Sequence, residues 1–160
     1  MGTLTYILIS LAFSAFFSGM EIAFISSNKL RFELDKKERS LSSKILGIFY
    51  RNPNLFISTM LVGNNIALVI YGILMAQIIG ENLLAGFIDN HFRMVLAQTV
   101  ISTLIILVTG EFLPKTLFKI NPNMVLNVFA VPLFICYVVL YPISKLSSGL
   151  SCIFLRIFGM

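Results

Sequence analysis

The chain has 160 residues, of which 58% are apolar and 12% are charged, and its formal net charge is +5. Its mean hydropathy is +0.93, and its charged fraction is about half the roughly 25% of soluble domains. Too little polar surface remains to coat a water-soluble globule, which excludes a soluble enzyme, a disordered chain and a collagen-like repeat. We expect one all-α integral membrane domain over residues 1–160, because this length accommodates three or four spanning helices of about 20 residues.

Three apolar segments are long enough to cross the membrane as helices, over about residues 4–25, 55–79 and 94–113. Pro53 precedes the second segment, and proline is tolerated in the first turn of a helix because an N–H there has no helical acceptor. Pro114 is predicted to end the third segment, because a proline inside a helix removes a hydrogen bond. The sequence therefore predicts three membrane-spanning helices.

The stretch between the first two spans, residues 28–52, is rich in basic side chains. It holds seven of the twelve in the chain, namely Lys29, Arg31, Lys36, Lys37, Arg39, Lys44 and Arg51. Because such loops stay on the cytoplasmic side, we expect a multi-pass protein of the inner (plasma) membrane with its N-terminus outside. The helical spacing of Leu41 and Ile45 predicts short amphipathic helices on the cytoplasmic membrane surface. Glu33 and Asp35 interrupt the basic run, which argues against a nucleic-acid partner.

The C-terminal segment, about residues 124–158, is apolar but contains Pro132 and Pro142. A fourth span here would place the cations Lys145 and Arg156 on the outer side, against the usual charge distribution. We therefore favour a kinked juxtamembrane helix at the inner surface over a fourth span.

Polar side chains inside the spans need an explanation, because an acid at the bilayer centre costs about 2.5 to 3.5 kcal/mol. Ser14, Ser18 and Glu21 recur at i, i+4 and i+7, which places them on one face of the first helix. In the second span, Asn64 and Asn65 directly follow a glycine, and glycine lets another backbone approach. Both groups are also compatible with simple helix packing through small residues and amides.

The third span carries Gly110, Glu111 and Pro114. Pro114 has no N–H, so the carbonyl four residues earlier, that of Gly110, is predicted to lose its helical donor. Glu111 adds a negative charge beside that oxygen, and Pro114 is the predicted hinge. The alternative is a plain proline kink in which Glu111 pairs with Lys115.

The polar groups of the three spans are predicted to lie in the inner half of the bilayer. Counted from the predicted cytoplasmic ends, Ser18 and Asn64 lie about 15 Å deep and Gly110 about 8 Å deep. Hydroxyl, amide, carbonyl and carboxylate oxygens suit a small hard cation, with Mg²⁺ or Na⁺ as the natural candidate. The sequence has no cluster of His or Cys that would favour zinc or copper.

These residues form three motifs in successive spans: Ser-x-x-x-Ser-x-x-Glu over 14–21, Gly-Asn-Asn over 63–65 and Gly-Glu-x-x-Pro-Lys over 110–115. In these motifs, and over almost its whole length, the chain resembles the transmembrane domain of the CorC and CorB proteins of prokaryotes and the cyclin-M (CNNM) proteins of animals. Members of that family usually continue into cytosolic CBS-type domains, which are absent from these 160 residues.

The resemblance implies a homodimer in the lipid bilayer that exports magnesium, coupled to sodium entry. It also implies a set of residues at or near the ion: Ser14, Ser18, Glu21, Asn64, Asn65, Gly110 and Glu111. Two other functions stay open, a non-transporting anchor that senses magnesium for a cytosolic module, and a bundle whose polar residues only hold helices together. None of these readings is enzymatic.

Overall fold

The computed structural model describes residues 2–28, 40–79 and 91–157, and the regular elements in these ranges are helices. They are α1 (Gly2–Ser26), α2 (Leu41–Arg51), α3 (Pro53–Ile78), α4 (His91–Ile106), a π-helical segment (Leu107–Phe112), α5 (Leu113–Ile120), α6 (Pro122–Val128) and α7 (Ala130–Ile157). The predicted all-α membrane fold is confirmed.

Three helices are long and apolar enough to span a membrane. α1 and α3 have 25 and 26 residues, and the third span has 30 residues because α4, the π segment and α5 form one helix, His91–Ile120. At 1.5 Å per residue, each of the three exceeds the roughly 30 Å thickness of the hydrocarbon core.

The structure differs from the prediction at Pro114, where the third span continues to Ile120. In the preceding π segment the helix has shifted register, so that the Leu113 N–H donates to the carbonyl of Val108, five residues earlier. Pro114 is then the second residue of α5, and at the five-residue spacing its missing N–H leaves the carbonyl of Thr109 without a helical donor. The wider π turn accommodates the proline without ending the span.

The contacts of α1 establish the directions of the spans. Phe24, near the end of α1, contacts Phe56 at the start of α3, whereas Ile7 packs with Tyr71 and Ile106. α1 is therefore antiparallel to α3 and parallel to the third span. The end of the bundle where α1 stops and α3 starts also carries α2, and we call it the α2 end.

α2 is an amphipathic helix packed on the bundle, as predicted for this part of the basic stretch. Ser40 caps it by accepting a hydrogen bond from the Ser43 N–H at 3.2 Å. Leu46 and Phe49 are buried against the spans, whereas Leu41 is exposed. Residues 29–39, which hold the other expected surface helix, lie outside the described residues.

The predicted juxtamembrane segment forms two helices, α6 and α7. They meet at a bend of 72° around Phe129, whereas the sequence placed the interruptions at Pro132 and Pro142. Pro132 lies in the first turn of α7, where proline is tolerated, and the helix continues through Pro142. α7 packs along α3, and its position relative to the membrane surface stays a prediction.

Aromatic rings form the core at the α2 end. The Phe56 ring centroid lies 4.4 Å from that of Phe24 and 4.6 Å from that of Phe49, and Phe49 also contacts Tyr137 of α7 at 5.2 Å. A second apolar cluster, around Ile7 and Tyr71, lies towards the opposite end. The two clusters hold α1 and α3 together above and below the level at which the polar residues meet.

Candidate functional site

Three spans meet at a buried polar contact between the two apolar clusters. The hydroxyl of Ser14 in α1 donates to Oδ1 of Asn64 in α3 at 2.8 Å, and both side chains are buried. A Cβ atom at Gly110 would lie 3.2 Å from Ser14 Oγ, so the backbone of the π segment passes directly beside that hydroxyl. The structure thus brings together three of the predicted site residues.

These three residues lie at one level in the bundle. Measured along their helices, Ser14, Asn64 and Gly110 are about 15 to 18 Å from the α2 end. The sequence placed Gly110 closer to the surface, because the third span was expected to end near Pro114. With that span continuing to Ile120, Gly110 lies level with Asn64, and Ser14 rather than Ser18 is their neighbour.

Two close approaches position the contact. The ring of Phe17 lies against Gly63, where a Cβ would come within 2.7 Å of the ring, so only glycine allows α1 and α3 this spacing. Gly110 allows the π segment to approach Ser14 in the same way. Phe17 was not among the predicted site residues, although its position one turn after Ser14 indicates that it shares that face.

Ser18 lies one turn closer to the α2 end than Ser14. Its side chain is fully buried, and its hydroxyl has no hydrogen-bond partner in the described part of the chain. A buried hydroxyl without a partner costs roughly 1 to 3 kcal/mol. This orphaned oxygen, beside an already polar contact, is a candidate ligand.

Charged side chains lie between the buried contact and the α2 end. Lys115 Nζ is 3.8 Å from a carboxylate oxygen of Glu111. Glu21 lies close enough to Lys115 and Glu111 to interact electrostatically with both. With all three ionised, the group carries one net negative charge. Such a group attracts cations towards the hydroxyls deeper on the same face of α1.

Asn65 is separated from the cluster. Its side chain is exposed, because consecutive residues of an α-helix point about 100° apart and Asn64 already faces Ser14. The structure therefore does not bring Asn65 to the predicted site.

The π segment changes which carbonyl loses its hydrogen-bond donor at Pro114. The expectation for Gly110 assumed a spacing of four residues from Pro114. At the spacing of five residues that Leu113 adopts, the corresponding carbonyl is that of Thr109, next to Gly110 in the same turn.

The oxygens on this side of the bundle are hard donors. The Ser14 hydroxyl and the Asn64 amide oxygen form the buried contact, the Ser18 hydroxyl lies one turn away, and the carboxylates of Glu21 and Glu111 lie nearer the α2 end. In the described ranges, no group of three or more His, Cys, Asp and Glu side chains could hold a metal. A cation at this site would therefore be coordinated largely by neutral oxygens, and the chemistry suits a small hard ion.

The chain is similar to known proteins over most of its length. The model of the cyclin M transmembrane N-terminal domain (CNNM) matches residues 5–160. The UPF0053 protein MG146 of Mycoplasma genitalium is 32% identical over 155 residues, covering 91% of this chain and 35% of that protein. The UPF0053 inner membrane protein YfjD of Escherichia coli K12 is 28% identical over 149 residues, covering 92% of this chain and 33% of that protein. The chain thus spans about a third of the length of these relatives.

Alanine at Gly110 is expected to lower the melting temperature of the purified protein. The added Cβ would lie 2.7 Å from Ile106 Cδ1 and 3.2 Å from Ser14 Oγ, and overpacking of this kind costs about 1 to 3 kcal/mol. Gly72→Ala is the matched control, because a Cβ there meets nothing within 4 Å. That variant is expected to gain up to about 1 kcal/mol of helix propensity. Equal melting temperatures for the two variants would contradict the close approach of Gly110.

Proposed function

Because this chain belongs to the cyclin M transmembrane-domain family, whose membership points to a role in divalent cation transport, we propose that it carries Mg²⁺ out of the cell. In this proposal the ion binds at mid-membrane to oxygens of Ser14, Ser18 and Asn64. The Gly110 backbone lies beside this site, and the carboxylates of Glu21 and Glu111 attract the ion on its way from the α2 end. The multi-pass membrane architecture supports a transporter rather than an enzyme.

The observation that carries the proposal is the buried polar contact of three spans. Ser14 and Asn64 satisfy one another, but Ser18 is left fully buried without a partner in the described part of the chain. A bundle that used these residues only to hold helices together would gain nothing from an orphaned hydroxyl. A cation that accepts the lone pairs of all three side chains removes this cost.

The distance between Ser14 and Asn64 is compatible with Mg²⁺. In octahedral coordination with metal–oxygen bonds of 2.0 to 2.1 Å, adjacent ligands are about 2.9 Å apart. The observed separation of Ser14 Oγ from Asn64 Oδ1 is 2.8 Å. These two oxygens could therefore become neighbouring Mg²⁺ ligands with little movement.

Transport requires the site to open alternately to the two sides, and the third span offers the flexible element. Each hydrogen bond of the π segment spans one residue more than in an α-helix, and the segment ends two residues before Pro114. A return from π to α register would turn Gly110 and Glu111 relative to Ser14. Pro114 and the π segment together would thus form the hinge. Sodium entering down its gradient is the proposed energy source.

The direction of insertion follows from the positive charges. Lys115 and Lys119 lie at the α2 end together with Lys44 and Arg51 of α2. We place the protein in the inner (plasma) membrane with the α2 end facing the cytoplasm, which satisfies the positive-inside rule. The N-terminus is then outside, and the carboxylates of Glu21 and Glu111 are on the cytosolic route to the site.

We also propose that the protein is a homodimer. Asn65 exposes an amide at membrane depth, where a side chain of this kind hydrogen-bonds to a neighbouring helix. The third span buries little of its surface within one chain. A second copy placed against these surfaces would satisfy Asn65 of each subunit.

Asn64→Ala is expected to abolish protection by Mg²⁺ against thermal unfolding, because it removes the amide ligand. At a concentration about 100 times the Kd, binding would stabilise the unaltered protein by about 2.7 kcal/mol. Asn65→Ala removes the same group one residue along. It is expected to keep the Mg²⁺-dependent rise in melting temperature in the dimer and in the single chain alike, because Ser14 and Asn64 belong to one subunit. Protection that persists in Asn64→Ala, or is lost equally in both, would reject the site.

Flux distinguishes the transporter from the alternative function, a magnesium-sensing anchor for the further chain that the longer relatives contain. Proteoliposomes loaded with a Mg²⁺-sensitive dye are expected to show Mg²⁺ movement driven by an imposed Na⁺ gradient, in the direction opposite to that of Na⁺. Asn64→Ala is expected to abolish it. A protein that binds Mg²⁺ but produces no flux under any Na⁺ gradient would be the sensor.

Light scattering of the detergent-solubilised protein tests the dimer. We expect the mass of two chains, and a shift towards one chain in Asn65→Ala at the same protein concentration, because the exposed amide loses its partner. A monomeric unaltered protein would contradict the proposed dimer. A dimer that is unchanged in Asn65→Ala would contradict the role assigned to Asn65.

A further inference from the structure

A cleft of about 480 Å³ opens at the α2 end between the last turns of α1 and α5. Its walls are Ile22, Phe112, Lys115, Thr116, Lys119 and Ile120. Ile22 lies one turn before the end of α1, and Ile120 is the last residue of the third span. The cleft is therefore at the level where the spanning helices leave the membrane.

Two of the six side chains that line the cleft are lysines, and none of the six is a carboxylate. Lys115 and Lys119 are one turn apart on α5, so both ammonium groups can reach the same space. Lys115 is paired with Glu111, but in residues 2–28, 40–79 and 91–157 no carboxylate lies within ion-pair distance of Lys119. An anion in the cleft would provide the missing counter-charge.

Apart from Thr116, the other residues that line the cleft are apolar. Phe112 and Ile120 are 61% and 68% exposed, and Ile22 completes the surface on the α1 side. A free anion would use only the lysines and leave these side chains without contacts. An anion that carries hydrocarbon would use both, since lysines at a membrane boundary present their ammonium groups at the headgroup level.

We propose that this cleft binds the phosphate headgroup of an anionic phospholipid. Lys119 is the principal partner of the phosphate, Lys115 adds a second positive charge, and an acyl chain lies along Phe112 and Ile120. The proposal depends only on the membrane location of the bundle and not on the ion that the protein carries.

The test uses the purified protein in a neutral detergent with three probes: short-chain phosphatidylglycerol, phosphatidylcholine of the same chain length, and inorganic phosphate. Thermal unfolding is followed as each probe is titrated. Only phosphatidylglycerol is expected to raise the melting temperature in a saturable way. Equal stabilisation by phosphatidylcholine, or by inorganic phosphate, would overturn the proposal.

Variants locate the effect. Lys119→Gln is expected to weaken phosphatidylglycerol binding by about fivefold, the effect of one lysine at a membrane surface, whereas Lys119→Arg is expected to retain it. Lys44→Gln, which removes an exposed lysine of α2 at the same end of the bundle, controls for net charge and is expected to change the Kd less than about twofold. Identical behaviour of Lys119→Gln and Lys44→Gln would exclude the cleft as the binding site, as would loss of binding in Lys119→Arg.

Discussion

The hydrogen bond between Ser14 and Asn64 is the interaction on which the rest of the structure depends. In hydrocarbon a polar side chain must find its partner within the protein, because no water is present to replace it. This bond joins α1 to α3 at mid-membrane, and Gly110 brings the third span to the same point. The spans therefore converge where their polar atoms can satisfy one another.

The apolar packing around the contact maintains that convergence. At the α2 end, α1, α2 and α3 are packed together through the rings of Phe24, Phe49 and Phe56. Towards the opposite end, the cluster around Tyr71 packs α1 against α3 and the third span. Glycine makes room where aromatic rings pack against a neighbouring helix: Gly63 accommodates the ring of Phe17, and Gly19 accommodates that of Phe118. The polar site is thus held by a rigid frame, with the π segment as the irregular element beside it.

The sequence predicted three spanning helices, because long apolar segments have few alternatives in a membrane, but it ended the third span seven residues too early. It also placed Ser14, Ser18 and Glu21 on one face, since helical spacing depends only on the count of residues. It could not separate Asn64 from Asn65, because the rotation of α3 about its axis is determined by packing such as that of Phe17 on Gly63. Nor could it foresee the π register, which shifted Gly110 to the level of Ser14 and carried the helix past Pro114.

The most direct test of the account is to locate a divalent ion in the protein. Mn²⁺ prefers the same oxygen ligands as Mg²⁺, and its anomalous scattering marks its position in crystals grown with saturating metal. We predict a peak within bonding distance of both Ser14 Oγ and Asn64 Oδ1, with the Ser14–Asn64 hydrogen bond replaced by coordination to the ion. An intact hydrogen bond with no peak beside it, at a metal concentration that protects the protein from unfolding, would contradict the account.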